Sequence, residues 1–414
     1  MKLLVYLLLF VIAKTLQHEL EVIQKSILSN NGKFDLISNN PSNSYLKHIN
    51  LEQSSLTIGV TSIYSSQYQI LLDIGTPSRE LSLLVDTQWP LTWLPTADCK
   101  CGNFATISKD ESTTLDFENT QISINYTQGS VSGYLASDIF ISKSENFTHK
   151  FLAVDKKEGF EWLVSDGVLG LGLGDNSLIT TLYNEGIIKG RIFGIFLSRN
   201  EESKKSKLLI GDADQDEYSS LEGISMDVKS LEKWEVEWEY YKINNTTYNK
   251  TIKTQINPGE QYLIGPEELV KIIIDQINAT GFCHMWYYNI LVCPEGKNIT
   301  YPSLLFGFLN NTVILMPGSY TSNSTNNTYI LIQSHKEDYW IFGQPFVKEY
   351  FPVFNMDSKK IMLYKINYMN SLSLVIYVIV SIFVIVVILV PVIVYCFISK
   401  STFTNDELSD SLIR

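Results

Sequence analysis

Two tight turns in this chain carry residues suited to acid–base or hydrogen-bonding chemistry: Asp86-Thr87-Gln88 in the first half and Asn257-Pro258-Gly259 in the second. Each turn is followed further along by an apolar-apolar-Gly triplet, Val168-Leu169-Gly170 and Ile341-Phe342-Gly343, so that one half echoes the other. A carboxyl at Asp86 can hold or release a proton and activate a water; the Asn257 amide can only donate and accept hydrogen bonds. Other reactive types are sparse. The histidines, His18, His48, His149, His284 and His335, have no metal-ligand spacing, and neither a metal nor a cofactor is expected. Among the five cysteines, Cys283 and Cys293 would close a modest loop and are expected to form a disulfide in an oxidising compartment. Cys99 and Cys101 form a possible second bridge, strained by their spacing; zinc is the competing reading, against which stands the lack of a matched Cys/His pair.

The elements that must position these turns read as short β-rich segments separated by turn signals: Tyr68 to Asp73, Leu81 to Asp86, Ile122 to Tyr126, Ile139 to Ile141 and Arg191 to Leu197. Helical patterning is confined to Ser177 to Glu185 and to Pro266 to Asn278, the latter opened by Pro266 with Glu267 and Glu268 in its first turn. A mainly antiparallel β-protein follows. Hydrophobic residues make up 45% of 414, enough for a large core divided into two lobes or domains. Asp plus Glu outnumber Lys plus Arg by 44 to 32 and no basic cluster appears, which argues against a nucleic-acid partner.

Lys2 and the apolar run Leu3 to Ala13, with Val11 and Ala13 at small-residue cleavage positions, predict a signal peptide over 1–16. Residues 17–66 have the polar composition of a leader or propeptide, in which Lys47 is the nearest candidate to cap a carboxylate. Leu374 to Ile398 is almost uninterruptedly apolar and roughly 37 Å long as a helix, so a transmembrane helix is placed at 372–398, with Cys396 inside it. The polar tail 399–414 argues against a lipid-anchor signal, and a single-pass type I protein is expected. Its ectodomain would be lumenal or extracellular, at the cell surface, lysosome or vacuole. Ten sequons fit that topology as potential glycosylation sites: Asn125, Asn146, Asn244, Asn245, Asn249, Asn278, Asn298, Asn310, Asn323 and Asn326.

Five motifs in order carry a family resemblance. Asp73-Ile74-Gly75-Thr76-Pro77 precedes Val85-Asp86-Thr87 and then Thr92-Trp93-Leu94-Pro95. Ile124-Asn125-Tyr126 with Gly129 to Gly133 has the form of a flap hairpin, and Ser165 to Gly172 that of a glycine-rich core turn. Trp340 to Phe346 with Tyr350 to Phe354 closes the series. Over roughly residues 67 to 366 the chain resembles the pepsin-like aspartic proteases. That resemblance implies a bilobal, mainly β fold, with an N-terminal lobe over 67–200 and a C-terminal lobe over 201–366, and a peptide or protein ligand in the cleft between them.

In that family each lobe supplies one Asp, and the two carboxyls share a proton because like charges so close cannot both ionise. Here the resemblance places Asp86 and Thr87 at the first position and Asn257 at the second, where the carboxylate is lost. Gln88 stands for the turn glycine, implying an altered turn or local strain. Trp89 stands for a hydroxyl residue, and Pro258 for a Thr that would bridge the lobes. Gly259 persists. Tyr126, Gly129 and Trp93 match flap and substrate-side positions, although Thr127 and Gln128 alter the flap tip. Trp162, Trp234, Trp238, Trp286 and Trp340 read as core or rim. Asp275 is the nearest alternative acid and falls in the expected helix. The resemblance thus implies an aspartic-peptidase homologue, impaired or inactive and acting as a peptide- or protein-binding glycoprotein; the alternative is an active endopeptidase working at acid pH.

Overall fold

The computed structural model describes residues 55–366, apart from 64–66, 100, 103, 127–128, 143–144, 200–205, 212–222, 287–288 and 325, together with Pro391. The expected signal peptide, most of the leader, the membrane helix and the tail lie outside the described residues. So do Thr127 and Gln128. Among the described residues no helix is long and apolar enough to cross a membrane.

The described part up to Lys365 belongs to one compact unit and is mainly β. In chain order its first strands are β1 (Ser55–Ile63), β2 (Gln67–Ile74), β3 (Arg79–Asp86), β4 (Trp93–Pro95), β5 (Asp116–Tyr126), β6 (Gly129–Ser142), β7 (Glu145–Gly159), β8 (Gly167–Gly170), β9 (Ile192–Phe196) and β10 (Ser206–Gly211). These ten join Gly223–Asp227, Tyr350–Asn355 and Lys360–Lys365 in one sheet, in which β1 lies between β10 and β2. A second sheet orders Glu235–Trp238, Ile252–Ile256, Tyr339–Phe342, Leu263–Pro266 and Ile332–His335. The five strand segments and both helices expected from the sequence are present, the helices at Leu178–Asn184 and Glu267–Ile277.

β1 lies within the stretch whose composition reads as a leader or propeptide. Leu56, Ile58 and Val60 alternate with polar or small residues, so the period of two puts all three in the core while the strand pairs with β10 and β2. Only three alternating positions carry that signal.

The echo between halves has a structural basis. β3 runs parallel to β8 with Asp86 opposite Gly170, and Ile252–Ile256 runs parallel to Tyr339–Phe342 with Ile256 opposite Phe342. Each apolar-apolar-Gly triplet is therefore the partner strand that holds a turn in place. Aromatic rings fill the space behind the second turn: Trp234 meets Phe193 and Phe354, and Trp238 meets Phe306 and Phe342. Behind the first, His149 on β7 is fully buried between the hydroxyls of Thr92, at 3.1 Å, and Thr181, at 2.9 Å. Its neutral ring satisfies both without a charge, and burial lowers its pKa to about 3.

Candidate functional site

β3 ends at Asp86, and the turn after it is fixed from both sides. The Leu171 backbone N–H donates to Asp86 O at 2.8 Å and the Gly172 N–H to Trp89 O at 2.9 Å. The second turn follows Ile256, with the Asn257 N–H donating to Phe342 O at 3.0 Å. The two turns meet: Asn257 Nδ2 donates to Asp86 Oδ2 at 2.8 Å. Asn257 Oδ1 accepts from the backbone N–H of Thr87 at 3.1 Å and of Gly259 at 3.0 Å. Two backbone donors identify the oxygen end of the amide, so its nitrogen must face the carboxyl. The first turn also grips the second through Thr87 Oγ1, which donates to Ile256 O at 2.6 Å; Pro258 offers no reciprocal hydroxyl.

Asp86 is only 4% exposed and Asn257 only 2%. Burial raises the Asp86 pKa, opposed by hydrogen bonds from Asn257, Gln88 and Trp89 and by the charge of Lys233. The Gln88 N–H reaches Asp86 Oδ1 at 2.8 Å, and Gln88 is not among the residues with positive φ. The strain expected at this substitution is absent: the turn needs the backbone N–H, which Gln supplies as well as Gly does. Gly259 is different. A Cβ there would lie 2.7 Å from Asp86 Oδ2, so close approach of the two turns requires glycine.

Trp89, in place of a hydroxyl residue, reaches across to the flap. Its Nε1 donates to Asn125 O at 3.2 Å, and its ring meets Tyr126 edge-on at 6.4 Å. Lys233 lies over that ring at 3.3 Å and donates to Gln88 O at 2.9 Å. Burial lowers the Lys233 pKa to about 8. Tyr126 holds the flap from the other side, accepting from Trp93 Nε1 at 3.1 Å and packing on Phe160 at 5.2 Å. Its own hydroxyl is pushed well above the usual range, by burial first and then by the Asp86 charge. Gly129 opens β6 beside this edge, and a Cβ there would lie 2.4 Å from Glu158 O.

Beneath the flap a cavity of about 10 Å³, the space of roughly one water, is lined by Asp86, Gly259, Tyr126 and Trp162 among apolar neighbours. Its remaining polar wall is Glu260, which sequence reasoning passed over. Glu260 is 7% exposed, and its pKa is raised to about 8 by burial first and the nearby Asp86 charge second. Asp275, the acid singled out from the sequence, is instead exposed on its helix and paired with Lys271 at 2.6 Å. The signal for Glu260 was its place directly after the glycine of the second turn, the counterpart of Trp89 in the first. Trp162, expected as core or rim, lines the cavity, and its buried Nε1 has no hydrogen-bond partner among the described residues. Trp234, Trp238 and Trp340 are buried in the core and Trp286 is half exposed.

Both cysteine pairs, Cys99–Cys101 and Cys283–Cys293, are bonded. Nine of the ten sequon asparagines are exposed. Asn278 is partly buried, and its Oδ1 accepts the Cys283 N–H at 3.0 Å. No cluster of three or more metal-ligating side chains occurs among the described residues.

The model of the eukaryotic aspartyl protease family matches residues 67–366. Pepsin II-1 of Oryctolagus cuniculus is 25% identical, over 87% of this chain and 98% of that protein. Plasmepsin I of Plasmodium falciparum is 25% identical over 69% of this chain and 66% of its own length, and renin of Canis lupus familiaris 20% identical over 77% and 84%. With the match spanning both turns, the flap and the closing motif, this chain belongs to the eukaryotic aspartyl protease family.

Proposed function

We propose that this protein is a membrane-anchored, peptide-binding member of the family in which the Asp86–Asn257 pair does not run two-carboxyl peptide hydrolysis. One observation carries the reading: the Asn257 amide, locked by two backbone donors, presents N–H to Asp86 where a second carboxyl would share a proton. An amide can orient a water or a carbonyl but neither takes up nor releases the proton that the reaction moves. Removing one member of an interdependent catalytic unit costs orders of magnitude in rate. The apolar segment at 372–398 supplies the anchor, and the exposed sequons suit a glycosylated lumenal or extracellular domain.

The second reading, an endopeptidase acting at acid pH, is favoured by one feature, a further buried carboxyl at Glu260 in the Asp86 cavity. The test is digestion of an unbiased peptide library by the purified chain between about pH 3 and pH 7, beside Asp86→Ala and Asn257→Asp. The peptide-binding reading expects no Asp86-dependent cleavage by the wild type and a gain in Asn257→Asp. Wild-type cleavage abolished by Asp86→Ala overturns it.

A further inference from the structure

We infer that Glu260, not Asn257, is the proton-holding partner of Asp86, and that the protonated Glu260 carboxyl is the donor that meets a peptide carbonyl in the cavity under the flap. The inference deepens the peptide-binding reading and rests on it for the identity of the ligand. The geometry is that of a shared site. Asp86 and Glu260 are both buried and both line a cavity with space for roughly one water, with Leu84, Phe160 and Val168 as its apolar walls. Asn257 is spoken for: its oxygen takes two backbone donors and its nitrogen faces Asp86, leaving no titrating group at that position.

Two carboxylates in such a space cannot both be ionised cheaply, so the pair carries a proton between them. Asp86 has four stabilising neighbours for its charge, the Asn257 amide, the Gln88 and Trp89 N–H groups and Lys233, and its charge acts on Glu260 in turn. The other titrating groups around the pair are Tyr126 across the cavity and Tyr339, whose hydroxyl feels the Glu260 charge. Of the two, Asp86 has the neighbours that favour its charge, and Glu260 is the member that keeps the proton. A protonated carboxyl donates one hydrogen bond, and a ligand carbonyl entering the cavity accepts it.

The experiment has two arms, both on the full chain in detergent. Infrared spectra taken from about pH 5 to pH 10 follow the C=O band of a buried protonated carboxyl. The band is expected to vanish with a midpoint at about 8. Glu260→Gln removes it, and Asp86→Asn shifts the midpoint down, because a neighbouring negative charge is gone. A band that survives Glu260→Gln, or a midpoint unmoved in Asp86→Asn, overturns the pair. The second arm measures binding of a synthetic octapeptide that keeps every peptide carbonyl and whose central amide is N-methylated. Above the midpoint its affinity for the wild type falls about tenfold per pH unit as the proton is lost, and Glu260→Gln abolishes that dependence. Affinity that does not change with pH overturns the donor role. Failure to bind at any pH, with the infrared result as expected, overturns peptide binding and the donor role, and leaves the proton-sharing pair standing.

Discussion

Replacing Glu260 by Gln keeps the shape and hydrogen-bonding capacity of a buried side chain and removes its titration. The consequence for folding stability has a definite sign. Glu260 holds its proton in the folded chain up to a pKa of about 8, against 4.5 for an ordinary glutamate. Between those values the folded state binds a proton that the unfolded state has released, so stability is fullest below pH 4.5, falls as pH rises, and is lost through pH 8. At about 1.4 kcal/mol per pH unit, over a window of about 3.5 units, the whole effect is roughly 5 kcal/mol, a ceiling reached only if the cavity does not relax or admit water. Asp86 moves in the same direction and remains in the variant, so the variant keeps a residual slope. Urea unfolding of wild type and Glu260→Gln, followed by tryptophan fluorescence at several pH values from 4.5 to 8, gives the difference directly. The reasoning predicts a gap that moves steadily in favour of the variant as pH rises. A gap independent of pH across that window refutes it.

His149→Gln acts on the opposite side of the pH scale. The buried ring titrates at about 3 rather than 6.5, so its contribution is present above pH 6.5 and lost as pH falls toward 3; the variant removes this acid-side loss, on the order of 5 kcal/mol, in the same unfolding assay. Gly259→Ala drives a methyl against Asp86 Oδ2 and the Val85 carbonyl, and is expected to cost about 1–3 kcal/mol in urea unfolding and to weaken peptide binding. Trp89→Ala frees the flap from one hydrogen bond and a lysine-stacked ring, and is expected to tighten peptide binding about tenfold by calorimetry, the equivalent of roughly 1.4 kcal/mol of relieved closure.

Much of the scaffold is legible in the sequence. Strands at β2, β3 and β9 announce themselves by apolar runs between turn residues, and the second helix by an apolar face and acidic first-turn residues. The meeting of Asp86 with Asn257, and of Trp93 with Tyr126, follows from motif order. What escaped depends on burial across long separations. Glu260 is one of 44 acidic residues, and only the approach of the two turns makes it a neighbour of Asp86. Gln88 read as a source of strain because glycine preference is visible in a sequence, whereas a turn satisfied without positive φ is not. Trp89 read as a lost hydroxyl; its role as a strut between turn and flap depends on Lys233 and Asn125, far along the chain.

The position of β1 bears on how the chain could be matured. Ser55–Ile63 is an interior strand, zipped to β10 on one side and β2 on the other. A processing enzyme that cuts ahead of Ser55 would trim the polar segment and leave the sheet intact. A cut in 64–66 would turn β1 into a detachable peptide, and its departure would bare two adhesive strand edges open to another chain. Release of the preceding segment is therefore compatible with a stable product only when the scissile bond lies upstream of this strand.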